Sequence, residues 1–129
     1  MIPLLQKVDC IQLPVPDLEA ALGFYRDRLG HEVIWRTEQA VGLRLPGSDT
    51  ELVLQTERPE PEVDWLVASV EAAVEQIITA GGSVEVPPFD IQIGRCAVVR
   101  DPWGNSLVLV DISRGALKTD AEGKVIQKE

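Results

Sequence analysis

The chain has 129 residues, of which 45% are hydrophobic and 26% charged, and its formal net charge is −9 at pH 7. This composition predicts one globular domain with a sizeable core and excludes an intrinsically disordered chain. The acidic balance excludes a nucleic-acid partner, and no run of about 20 apolar residues is present that could span a membrane. Without a recognisable signal peptide, and with only two cysteines, the sequence predicts a cytoplasmic protein.

The first half of the chain reads as a strand, a helix and three further strands. An apolar run predicts a strand over Val8–Val15, and Asp17 is a suitable N-cap for a helix over Leu18–Arg28. Gly30 then predicts a left-handed end to that helix. Further strands are predicted over His31–Arg36, Ala40–Leu45 and Glu51–Gln55.

The second half repeats this order after a linker. The charged, proline-containing segment Thr56–Val63 predicts a connection that is not packed in a sheet. A short apolar run opens at Asp64, a helix is expected over Val70–Ala80, and Pro87-Pro88 predicts an irregular loop. The remaining predicted strands are Ser83–Val86, Gln92–Arg100 and Ser106–Ile112, the last two joined by a DPWGN turn.

The two halves align at a single offset of 55 residues, which places Asp9-Cys10 on Asp64-Trp65 and Leu52–Leu54 on Leu107–Leu109. The sequence therefore predicts an α+β fold of two tandem βαβββ modules within one domain. The modules cover about residues 7–57 and 63–112. The polar tail, residues 113–129, is predicted to be mobile or to form a small hairpin against a partner subunit, with a turn at residues 120–123.

Strand alternation predicts which side chains face away from the helices. In the last strand the leucines form the side that packs on a helix, so Val108 faces the opposite side. The 55-residue repeat extends this assignment to the other first and last strands. The predicted opposite set is Cys10, Gln12, Val53, Gln55, Trp65, Val67 and Val108.

The run VDCIQLPVPDLEAALGFYRDRLG, together with DPWGNSLVL, resembles the vicinal oxygen chelate superfamily of glyoxalases, extradiol dioxygenases and bleomycin-resistance proteins. The resemblance covers about Val8–Ile112 and implies paired βαβββ modules that form a cupped mixed sheet, completed in a homodimer. It also implies a divalent metal, held by His in the first strand and by Glu or His in the last strand of each module. Carried over to this sequence, those positions are Cys10, Val53, Trp65 and Val108.

These four residues do not make the family's metal site. Val53 and Val108 cannot coordinate an ion, and Trp65 offers only an N–H donor. One thiolate, at Cys10, falls short of the three or four ligands that a transition-metal centre needs. The single histidine, His31, lies outside the motif positions. We therefore expect no metal, no other cofactor and no catalytic residue.

The resulting prediction is a metal-independent small-molecule-binding protein of the glyoxalase/bleomycin-resistance type, with an apolar, tryptophan-lined cavity. Its ligand is expected to be small and apolar or aromatic, and a cationic ligand would be attracted by the acidic chain. The alternatives are a metal-dependent lyase, isomerase or dioxygenase, a catalyst that uses Cys10 or Cys96, and a dimerisation module whose cavity is filled. The candidate ligand-binding residues are Cys10, Gln12, Trp35, Val53, Gln55, Trp65, Val67, Cys96, Val98 and Val108.

Overall fold

The computed structural model describes residues 2–115, 118–119 and 125–126. Its elements confirm the α+β class, with strands of mixed direction accompanying the helices. In chain order they are β1 (Lys7–Pro14), α1 (Leu18–Leu22), a π-helical segment (Gly23–Arg28), β2 (Val33–Arg36), β3 (Ala40–Leu43), β4 (Glu51–Gln55), β5 (Glu62–Leu66), α2 (Val70–Thr79), β6 (Ser83–Ile91), β7 (Gly94–Arg100), β8 (Ser106–Val110), β9 (Lys118–Thr119) and β10 (Val125–Ile126).

Residues 10–62 belong to one compact unit, in which the strand order is β2-β3-β4-β1. β1 runs parallel to β4, and the other neighbours are antiparallel. One face of this sheet packs on α1, because apolar side chains at alternate strand positions meet the apolar stripe of the helix. The buried cluster consists of Leu18, Ala21, Leu22, Val41, Leu43 and Leu54.

Residues 2–9 and 63–115 belong to the second unit, with the strand order β6-β7-β8-β5. β5 runs parallel to β8, while β7 is antiparallel to both of its neighbours. The segment before β1 is anchored to this unit, since the Gln6 amide donates to the Leu66 carbonyl at 2.9 Å. The buried cluster against α2 consists of Val67, Val70, Ala73, Val74, Ala97, Val99 and Leu109.

Side-chain caps start both helices, as the sequence predicts for the first. Asp17 accepts a hydrogen bond from the Ala20 amide at 3.0 Å, and Ser69 accepts one from the Ala72 amide at 3.3 Å. The predicted helix over Leu18–Arg28 is α-helical only as far as Leu22, and a π-helical segment follows it. Gly30 ends this segment at a φ of 84°, a left-handed conformation that suits glycine.

The predicted loop at Pro87-Pro88 is wrong, because β6 continues through both prolines to Ile91. The strand tolerates them since β6 lies at the end of the strand order, where a missing N–H leaves no ladder bond unmade. Its register against β7 shifts between Val84 and Phe89, as expected where the ladder is interrupted.

The two units repeat the same plan, but not at one offset. The caps Asp17 and Ser69 lie 52 residues apart. Val15 donates to the Gln55 carbonyl and Val67 to the Val110 carbonyl, so the donors repeat at 52 residues and the acceptors at 55. The predicted offset of 55 therefore holds for the last strand and is wrong for the first strand and helix.

Within the described residues, no helix is long and apolar enough to cross a membrane. In the tail, β9 and β10 pair in antiparallel fashion, with Val125 opposite Thr119, as the hairpin alternative predicts. The turn predicted at residues 120–123 lies outside the described residues. A partner subunit for this tail stays a prediction.

Candidate functional site

A single row of residues crosses the face of the 10–62 unit that lies opposite α1. Trp35 is the register partner of Gly42, Gly42 of Val53, and Val53 of Gln12. Partners in register project to the same side of a sheet, and their neighbours Val41 and Leu54 project to the helix. We call this row, with the side chains around it, the helix-free face of the 10–62 unit.

Trp35 lies across Gly42 at one end of the row. A Cβ added at Gly42 would overlap three atoms of the indole, so the ring occupies the space that any larger residue would fill. The indole N–H donates to a carboxylate oxygen of Glu51 at 2.7 Å, which fixes the orientation of the ring. The tryptophan is therefore held as a partly exposed aromatic surface on this face.

Gln55 organises the other end of the face. Its side chain is only 1% exposed, and both ends of its amide are used. The Oε1 atom accepts from the Glu57 and Arg58 amides at 2.8 and 2.7 Å, while Nε2 donates to the Arg58 carbonyl at 2.9 Å. Three bonds from one buried side chain give the start of the predicted linker a defined conformation.

The turn built by Gln55 directs Arg58 back onto the row. Its Nη2 donates to the side-chain oxygen of Gln12, and its Nε lies 3.6 Å from a carboxylate oxygen of Glu62. The Gln12 amide in turn lies 3.9 Å from the sulfur of Cys10. The face thus carries an aromatic surface at one end and a cation at the other.

Five of the candidate ligand-binding residues share this face. Cys10, Gln12, Val53 and Gln55 are paired in register along β1 and β4, and Trp35 completes the row. Their predicted orientation is confirmed, whereas their contact with a ligand stays a prediction. Gln55 is buried and engaged by the turn, so its role here is to build the site.

In the second unit, three candidate residues lie opposite α2. Cys96 is paired with Val110, and Val98 with Val108. Their strand neighbours Ala97, Val99 and Leu109 belong to the cluster that packs on the helix. Cys96, Val98 and Val108 therefore line a second helix-free face, which is predominantly apolar.

Trp65 and Val67 are not on that face, so their predicted orientation is wrong. Trp65 is the partner of Leu109 and packs with the α2 cluster, and Val67 is 2% exposed within the same cluster. The side opposite α2 carries Asp64, the partner of Val108. The cause is the offset: the difference between 55 and 52 is odd, and an odd shift moves every side chain to the other face.

The family's metal does not fit the residues present. On the 52-residue offset, the position that repeats Cys10 is Glu62, which is ion-paired with Arg58. The last-strand positions are the valines Val53 and Val108, which have no donor atom for a metal. Among the described residues, no three His, Cys, Asp or Glu side chains are close enough together to hold an ion.

The analysis of the sequence missed Arg58, Glu62 and the seat at Gly42. Arg58 was assigned to a charged linker, although it is the one basic residue in the acidic segment Thr56–Val63. That isolated positive charge, three residues after a buried glutamine, was the available signal. Nothing local marks Gly42, because its role depends on the register of β2 against β3.

The 10–62 unit also carries a polar cavity of about 280 Å³ beside Glu51. It is lined by Ile34, Arg44, Leu45, Ser48, Asp49, Thr50 and Glu51. Arg44 is ion-paired with Glu32 at 3.3 Å, so its charge is already balanced. The cavity adjoins the Trp35 end of the row through Glu51.

Two kinds of comparison concern the sequence. The family model described as Glyoxalase/Bleomycin resistance protein/Dioxygenase superfamily matches residues 7–109. An anthracycline biosynthesis protein, DauV, from Streptomyces sp. (strain C5) is 29% identical over 130 aligned positions, which cover 91% of this chain. The chain spans 45% of the length of that curated relative.

Solved structures share the fold. A methylmalonyl-CoA epimerase from Mycobacterium tuberculosis superposes with a TM-score of 0.69 at 19% identity, covering 88% of this chain and 93% of the epimerase. The Mn(II)-bound glyoxalase from Novosphingobium aromaticivorans superposes with a TM-score of 0.61 at 17% identity, covering 92% of this chain and 43% of the glyoxalase. At these identities the likeness concerns the fold alone.

Proposed function

Because the chain belongs to the Glyoxalase/Bleomycin resistance protein/Dioxygenase superfamily, we propose that it uses the superfamily's sheet to bind a small planar organic molecule without a metal. The observation that carries the proposal is the row on the helix-free face of the 10–62 unit. There an oriented indole, Trp35, stands beside Val53, at the position where the family's acidic metal ligand is expected.

The chemistry of the row suits a flat, largely apolar ligand. Val53 and the backbone of Gly42 offer an apolar floor, and the indole offers a ring on which a second ring can stack. Offset stacking between aromatic rings contributes about 0.5–1.5 kcal/mol beyond the burial of apolar area. Gln12 supplies a polar group for orientation, as small-molecule sites commonly do.

The relative from Streptomyces supports the aromatic class. It is named for anthracycline biosynthesis, and anthracyclines contain fused planar rings. The metal-dependent lyase, isomerase or dioxygenase finds no comparable support, because valines occupy both last-strand positions. The binding role excludes Trp65 and Val67, which lie in the α2 cluster. Assembly as a homodimer and a cytoplasmic location remain part of the proposal.

The first experiment is a calorimetric titration with 2-naphthamide, a neutral fused-ring probe, in buffer with EDTA. We expect binding that is unchanged by added Mn²⁺, Ni²⁺ or Zn²⁺. Trp35→Leu should weaken it by about two- to tenfold, the loss expected for one aromatic contact. Trp103→Leu is the matched control, because Trp103 is 83% exposed in a turn of the other unit.

Two results would contradict the proposal. Binding that requires a divalent metal would favour the metal-dependent alternative. Equal affinities of the wild-type protein and the Trp35→Leu variant would remove the indole from the site. A catalogue of flat probes of different length would then show how far the apolar floor extends.

A further inference from the structure

From the placement of Arg58 we infer that the ligand carries a carboxylate, which the guanidinium binds while the ring system lies on Trp35. This inference rests on the proposed function and adds the chemical class of the ligand. It makes Arg58 a specificity-determining residue at the end of the row opposite the indole.

The position of Arg58 is built into the unit. Gln55 is buried and spends its whole amide on the backbone of Glu57 and Arg58. Burying a polar side chain costs free energy unless it is hydrogen-bonded, so the turn and the glutamine stabilise each other. The arginine therefore starts from a backbone that is already ordered, and less conformational entropy is lost when it binds.

The guanidinium is directed along the face. Its Nη2 atom contacts the side chain of Gln12, the residue at the end of the row. Trp35 stands three strand spacings away, about 14 Å at about 4.8 Å per spacing. Since both long side chains cover part of that distance, a ligand of two or three fused rings with a terminal carboxylate fits between them.

Glu62 does not fully occupy the guanidinium. The Nε–Oε1 distance is 3.6 Å, and the two side chains are 46% and 25% exposed. Half-exposed ion pairs of this kind contribute about 1 kcal/mol or less. A ligand carboxylate can replace this contact with two parallel hydrogen bonds, the geometry that arginine favours.

The charges on this face favour an acid over the cation that the net charge alone suggests. Glu51 already accepts the indole N–H, and Glu62 is paired with Arg58. A cationic ligand would meet the guanidinium at the end of the row and be repelled. A carboxylate would find there a cation with a fixed backbone and an exposed edge.

The test compares two probes of one shape, 2-naphthoate and 2-naphthamide, by calorimetry. We expect the wild-type protein to bind the naphthoate about tenfold more tightly than the amide, the ratio expected for a charge-assisted bidentate contact. Arg58→Gln should bring the two affinities within about twofold of each other and leave the amide affinity unchanged. Arg26→Gln is the matched control, because this exposed arginine is paired with Asp27.

Several outcomes separate the two proposals. If the wild-type protein binds both probes equally, or if its preference for the acid survives Arg58→Gln, acid recognition is overturned while the proposed function stands. If neither probe binds, both proposals are overturned. Should the glutamine variant fail to fold, Arg58→Lys and the salt dependence of the wild-type preference decide the question. A preference that is unaffected by both would overturn the inference.

Discussion

The indole of Trp35 occupies the place where a side chain at Gly42 would be. The two residues are register partners on β2 and β3, and Glu51 holds the ring in place through a 2.7 Å hydrogen bond. An aromatic surface of fixed orientation thus results from a missing Cβ on the neighbouring strand. The proposed ligand site depends on this pair more than on any other contact of the face.

We predict that Gly42→Ala displaces the indole and weakens 2-naphthamide binding as much as Trp35→Leu does. The added methyl group overlaps the ring, and the ring cannot move without losing its bond to Glu51. Calorimetry measures the affinity, and the Trp35 fluorescence should change as the ring becomes more exposed. Gly47→Ala is the control, because a Cβ there meets nothing within 4 Å. An alanine variant with the wild-type affinity would show that the ring can be accommodated elsewhere.

A second prediction concerns Gln55. Gln55→Leu removes three hydrogen bonds to the turn and leaves the Glu57 and Arg58 amides without their acceptor. We expect a loss of about 2 kcal/mol in the free energy of unfolding, measured with denaturant. The preference for 2-naphthoate over 2-naphthamide should fall with it. Gln39→Leu, at an exposed position, should change neither quantity, and an unaltered preference in Gln55→Leu would mean that Arg58 is positioned by other contacts.

Glu62 gives a prediction with the opposite sign. Glu62→Gln removes the carboxylate that competes with the ligand for Arg58, so the affinity for 2-naphthoate should rise by about two- to fivefold. The affinity for 2-naphthamide should not change. Glu60→Gln removes an exposed charge from the same segment and controls for the long-range field. A rise of equal size in both variants would assign the effect to net charge.

Asp111 supports the second unit, and its removal should destabilise the protein. The buried carboxylate accepts bonds from the Val70 and Arg95 amides and from the amide and hydroxyl of Ser113. Asp111→Ala leaves buried donors unpaired, and we expect a loss of about 3 kcal/mol at pH 7 in chemical denaturation. Asp90→Ala removes an exposed carboxylate of the same unit and should have little effect. A small loss in Asp111→Ala would mean that water replaces these bonds.

The same residue predicts how stability depends on pH. Burial alone would raise the pKa of Asp111, but the bonds from Val70, Ser113 and Arg95 outweigh it and lower the pKa below its ordinary value of 3.8. The carboxylate therefore stabilises the folded state above about pH 4, and this contribution is lost as the pH falls through the lowered pKa. The gap in stability between the wild-type protein and Asp111→Ala should narrow below pH 4. A gap that stays constant to pH 2 would contradict this assignment.

Asp9 acts in the opposite direction in both proteins. Burial raises its pKa, against a smaller lowering by Lys7. Its protonated form is favoured on folding, so it stabilises the folded state at acidic pH and this contribution is lost as the pH rises through the raised pKa. Comparing the variant with the wild-type protein cancels this contribution.

Local patterns predicted much of the fold and part of the site. The cap at Asp17, the turn at residues 101–105 and the orientation of Val53 all follow from interactions within a few residues along the chain. The orientation of Trp65 did not follow, because it was inferred from a repeat offset measured on other segments. Arg58 was missed since its partner Gln12 lies 46 residues away.

The sequence by itself determined the α+β class, the two βαβββ modules and the loss of the family's metal ligands, because alternation, capping and residue chemistry are local properties. Only the tertiary structure decided which residues meet on one face. Register joins residues such as Gln12 and Val53, far apart in the chain, and a shift of one position exchanges the two faces of a strand. The seat of Trp35 on Gly42 and the reach of Arg58 to Gln12 are consequences of that register and of the turn built by Gln55.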